Sequence, residues 1–138
     1  SDLTSLGNVG TEPRLVRTEG AIVAVSNFGS DDLTIIRWDG ASAQVTEQSE
    51  PEGDGPVGID LVELPDGNIG ICSTGFNDHR YWITVVGPDG ALVSNDGFDL
   101  PAGALNPGHA SWTAVGDEYY VMVSCNGSDE LHVIPVSF

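Results

Sequence analysis

Apolar residues in this chain come in short runs that alternate with polar ones, and each run stops at a cluster containing Gly, Pro, Asp or Asn. Alternation with a period of two marks strands that bury one face, and such clusters mark the turns between them. No apolar pattern at helical spacing lasts longer than about one turn. The pattern predicts an all-β protein.

The runs repeat. GAIVAVSNFGSDDLTIIRWDG (Gly20–Gly40) reads as strands Ala21–Val25 and Leu33–Trp38, joined by an acidic loop and closed by Asp39-Gly40. GNIGICSTGFNDHRYWITVVGPDG (Gly67–Gly90) and GDEYYVMVSCNGSDELHVIPVSF (Gly116–Phe138) repeat that order. Gly20, Gly67 and Gly116 are 47 and 49 residues apart, and Ser26, Ser73 and Ser124 are read as matching strand ends. An inner strand precedes each pair, around Leu15-Val16, at Gly58–Leu64 and at Ala110–Val115. An outer strand follows the first two pairs, at Ala41–Gln48 and Ala91–Ser94, and the loops Ser49–Pro56 and Asp96–Pro107 connect the units. The units span about 11–48, 56–100 and 107–138 of one domain, 1–138.

Four short strands in a period of about 40 to 50 residues are the signature of a β-propeller blade. On PVGIDLVELPDGNIGICST (Pro56–Thr74) and PGHASWTAVGDEYYVMVS (Pro107–Ser124) the chain resembles the β-propeller superfamily, particularly proteins with NHL or YVTN-type blades. The resemblance implies a fold and not an activity. The third unit has three strands, and SDLTSLGN (Ser1–Asn8) fits the place of its fourth. Propeller rings take typically four to eight blades. The expectation is therefore a six-bladed ring made by a homodimer, with N-terminal strand exchange. The alternative is that the chain is a fragment of a longer propeller.

Charge changes the picture of partners. The net charge is −17, Lys is absent, and the basic residues are Arg14, Arg17, Arg37 and Arg80. Such a surface repels nucleic acid and anionic membranes. It leaves cations, basic proteins and neutral sugars open as partners. No run reaches the roughly 20 apolar residues of a membrane helix. The chain begins at Ser1 and not at Met, so removal of a signal peptide, a propeptide or a tag is expected, and the expected location is secreted or periplasmic. Cys72 and Cys125 belong to neighbouring units and are expected to be buried thiols and not a disulfide.

The propeller resemblance implies a site on one face, around the central channel. The loops between second and third strands carry Asp31 and Asp32, then Asn77 and Asp78, then Asp129 and Glu130. Clustered oxygens of this kind favour Ca²⁺ or a cationic ligand, although acids in such loops also serve as solvated turn formers. Arg14 and His109 are expected to start inner strands and point at the channel, with Gly58 in the matching place of the second unit. His79 is expected to be exposed in its loop, His132 to lie mid-strand, and Trp38, Trp82 and Trp112 to pack between blades. Glu50, Glu52 and Asp54 echo a calcium loop, but Pro51 and Leu61 at the twelfth position argue against one. No G-x-S-x-G, paired metal histidines, phosphate loop or Cys-His arrangement occurs. The expected function is a non-catalytic binding protein for a small ligand, glycan or protein. The alternative is a metal-dependent hydrolase resembling the propeller lactonases.

Overall fold

The computed structural model describes residues 5, 7–51 and 53–138. Three antiparallel sheets account for all eleven strands among these residues, and none closes into a barrel. The first contains β1 (Pro13–Glu19), β2 (Ile22–Asn27), β3 (Asp32–Trp38) and β4 (Ala43–Pro51) in sequence order. The second contains β5 (Pro56–Glu63), β6 (Ile69–Gly75), β7 (Arg80–Val86) and β8 (Leu92–Asp99), also in order. In the third, β10 (Glu118–Cys125) lies between β9 (Pro107–Val115) and β11 (Glu130–Val136). The strand expected at 1–8 falls largely outside the described residues. Of that segment, Ser5, Gly7 and Asn8 are described and lie outside the strands.

The second sheet stands between the other two, with β5 against β1 and β2 on one side and β9 against β5 and β6 on the other. This explains the burial of its central strand. Every residue of β6 is buried, because both faces are covered. Ile69 and Ile71 join Ile22, Ala24, Leu33 and Ile35 in a core against the first sheet. Cys72 points the opposite way, into a second core with Val121, Val123 and Cys125 of the third sheet. By contrast β10 alternates, with Val121 and Val123 buried and Tyr120 and Met122 only half-buried, because one of its faces is covered. Truncating a fully buried residue such as Ile71 to Ala costs about 2–5 kcal/mol.

Turn chemistry fixes the hairpins. Gly20, Gly67 and Gly116, at φ of +57, +86 and +61, close the turns between first and second strands. At the next turn Asp39 Oδ1 accepts the N–H groups of Ala41 at 2.9 Å and Ser42 at 2.8 Å. Those bonds hold its carboxyl below the ordinary range.

The strands run further than the sequence pattern predicts. β4 reaches Pro51, and β8 continues through Asn95–Asp99, where turn-forming residues suggest a loop. Cross-strand contacts hold β8 in the ladder. Asn95 Oδ1 accepts the Thr84 hydroxyl at 2.7 Å, Phe98 stacks on Tyr81 at 5.2 Å, and Asp99 pairs with Arg80 at 3.2 Å. Gly97 is required by its neighbour, since a Cβ there would come within 2.8–2.9 Å of the Trp82 ring. Trp82 thus packs on its own sheet, Trp38 is at the surface, and Trp112 packs between the second and third sheets.

Candidate functional site: three copies of one loop clamp

At one end of each sheet the same backbone clamp is built from different residues. A residue with positive φ precedes the proline that begins each inner strand: Glu12 at +52, Gly55 at +69 and Asn106 at +55. The loop between second and third strands ends in another such residue: Asp31 at +58, His79 at +58 and Asp129 at +56. Two backbone bonds tie the segments together in every sheet. Phe28 and Gly29 donate to the carbonyls of Glu12 and Thr11, both at 2.9 Å. Phe76 and Asn77 donate to Gly55 and Asp54 at 2.9 and 3.1 Å, and Asn126 and Gly127 donate to Asn106 and Leu105, both at 3.0 Å. A side chain completes each clamp. Ser30 Oγ, Asp78 Oδ2 and Ser128 Oγ accept the N–H groups of Thr11, Asp54 and Leu105, each at 3.1 Å. Non-glycine residues at positive φ carry a backbone cost, and Asp, Asn and His tolerate it best.

The expected site residues distribute over these clamps. Asp31 Oδ1 accepts the Gly55 N–H at 2.8 Å. Asp32 is buried and accepts from Asn27 Nδ2 at 2.8 Å and Ser30 Oγ at 2.9 Å. Asn77 Nδ2 donates to Asp54 Oδ1 at 3.0 Å. Part burial, against the attraction of Arg80, raises the Asp78 carboxyl above its ordinary value. The acids on the first two loops are therefore turn and clamp acceptors, in keeping with the turn-forming reading. Among the described residues no three His, Cys, Asp or Glu side chains gather as they would around a metal ion.

Arg14 and His109 do not occupy matching places, contrary to the expectation. Leu15 is the counterpart of Gly58, because their N–H groups are received by Ser26 Oγ at 3.3 Å and Thr74 Oγ1 at 3.0 Å. His109, paired with Ser124 across the ladder, is the third member of that set. The matching strand-end residues are therefore Ser26, Thr74 and Ser124, one residue away from the serine expected in the second unit. The shift arises because β2, β6 and β10, each starting two residues after its turn glycine, are six, seven and eight residues long, so counting from the glycine gives Ser73 in place of Thr74. Arg14 lies one residue earlier, 3.4 Å from Glu12 and with its guanidinium 4.4 Å above the Phe28 ring.

His109, Asp129 and Glu130 are brought together on an open hollow of about 580 Å³ at the end of the third sheet. His79 is not exposed as expected: it is half-buried, and its Nδ1 accepts the Asn106 N–H at 2.9 Å. His132 is half-buried, 3.5 Å from Glu130. The αL-Pro steps at Glu12-Pro13, Gly55-Pro56 and Asn106-Pro107 were a readable repeat that the turn and strand patterns did not single out. No family model, curated protein or solved structure matches this chain.

Proposed function

We propose that the three sheets are consecutive blades of a six-bladed β-propeller completed by a second copy of the chain. We further propose that the protein is a non-catalytic binding module whose clamp loops receive a positively charged partner. One observation carries the binding reading. The loops Phe28–Asp31, Phe76–His79 and Asn126–Asp129 share one backbone geometry and present different side chains side by side. A rigid scaffold with varied loop tips is the usual basis of a recognition surface. Hydrogen bonds from backbone N–H groups to Asp31 and Asp78 hold those carboxylates in place without supplying a countercharge, and the chain carries a net −17 around them.

The test is titration of an Arg/Lys-rich peptide at low and high salt. Binding that weakens with salt is expected, as is at least about 10-fold weaker binding when Asp31, Asp54 and Asp78 are all replaced by Asn. Asn keeps an acceptor oxygen for each clamp and removes only the charge. Absence of binding at low salt, or turnover of simple lactones abolished by a chelator, would replace this reading with another.

A further inference from the structure

Among the described residues the contact between successive sheets is made twice and is left open at both ends. Each filled contact has a polar latch. Asp31 Oδ1 accepts the Gly55 N–H at 2.8 Å from first sheet to second, and His79 Nδ1 accepts the Asn106 N–H at 2.9 Å from second to third. The third members of both series are present with the same backbone conformation: Asp129 at φ +56 and Glu12 at φ +52. Among the described residues neither the Asp129 carboxylate nor the Glu12 N–H is latched to another sheet, and both residues are exposed.

The apolar part of the contact follows the same rule. Leu33 and Ile35, two and four residues after Asp31, are 0% exposed against the second sheet. Leu131 and Val133, two and four residues after Asp129, are 66% and 54% exposed. At the opposite end, Ile59, three residues after Pro56, is 1% exposed, whereas Val16, three residues after Pro13, is 54% exposed. The register puts Leu131 and Val133 on one face with Ser124 and Met122 of β10. Among the described residues the third sheet thus carries an exposed leading face, and the first sheet an exposed trailing side.

Resting on the propeller reading above, we infer that the occupant is a second copy of this chain, docked head to tail so that Asp129 accepts the N–H of Glu12 of the partner subunit. The two-fold relation makes the junction twice, and six blades fall within the range at which propellers close. Loop acceptors need not be charged, since His79 performs the same task with a ring nitrogen.

Sedimentation equilibrium of the 138-residue chain tests the junction. Asp129→Ala should raise the dimer dissociation constant at least about 10-fold, because each ring loses two latches. Asp129→Asn, which keeps an acceptor, should restore it to within about 3-fold. The double variant Glu12→Cys with Asp129→Cys should form a covalent dimer on mild oxidation, and neither single variant should, since the latch brings the two backbones within disulfide reach. A dimer indifferent to Asp129→Ala and unable to form that crosslink overturns the junction while leaving the six-bladed ring intact. A monomer at every concentration overturns both.

Discussion

The carboxylate of Asp60, on the inner strand of the second sheet, accepts the backbone N–H of Trp112, on the inner strand of the third, at 2.8 Å. The indole N–H of Trp112 returns a bond to the Asp60 carbonyl at 3.1 Å. Two strands of different sheets are thereby tied along their inner edge, where no ladder joins them. A buried N–H left without its acceptor costs about 1–3 kcal/mol. Asp60→Ala is expected to lower unfolding stability by that amount, and Asp60→Asn, which keeps an oxygen there, by less than half as much. Equal losses in chemical denaturation would show that charge and not the bond matters at this position.

Gly58 marks a close approach of those two strands. A Cβ on it would stand 2.8 Å from both the Ala110 nitrogen and the His109 Cα, which are backbone atoms that cannot swing aside. Gly58→Ala should therefore force the second and third sheets apart and cost about 1–3 kcal/mol. The control is Gly20→Ala, where the surrounding space is open and the penalty comes from its positive φ alone. Crystal structures of both variants would separate the two causes: a shift of β9 should occur in the first and not in the second.

Asp78 gives a pH signature. Burial, followed by weaker opposing effects of the Asp54 N–H and Arg80, makes it hold its proton more tightly in the folded chain than in the unfolded one. Its contribution to stability is therefore present below the unfolded carboxylate's value, near about 3.9, and is lost as pH rises through the higher folded value. Asp78→Asn keeps the acceptor for Asp54 and removes this loss. The variant should be more stable than the parent at neutral pH, and indistinguishable from it near pH 3. A variant less stable at pH 7 would show that the Arg80 attraction outweighs burial.

Neither cysteine is in a disulfide, and both are buried in the core between the second and third sheets. Burial, with Glu130 adding to it, pushes the Cys125 thiol up. Reaction with a thiol reagent should be at least about 100-fold slower in native buffer than in denaturant, and should speed up in the Gly58→Ala variant as the two sheets loosen. Rapid native-state labelling would contradict the buried placement.

The all-β class and the three repeated hairpin pairs were legible because apolar alternation and Gly-containing turns report directly on strands. Strand ends were less legible. The β8 residues Asn95, Asp96 and Gly97 look like loop formers, and they stay in the ladder opposite Thr84, Ile83 and Trp82 of β7, where Asn95 bonds the Thr84 hydroxyl and Gly97 makes room for the Trp82 ring. The alignment of Ser73 failed by one residue, because β6 is one residue longer than β2 and the hydrophobic pattern does not show where each strand ends. The acids of the loops were found, but composition could not tell a free rim carboxylate from one bonded to a backbone N–H. That distinction depends on the positive-φ residues Asp31 and His79, which bring side chain and neighbouring sheet together.

The most direct measurement is the molar mass in solution by light scattering, from nanomolar to micromolar concentration and at low and high salt. A shared ring predicts about twice the 14.4 kDa chain mass, with association strengthened by salt because two chains of net charge −17 repel one another. A folded species of 14.4 kDa at every concentration and ionic strength would contradict it.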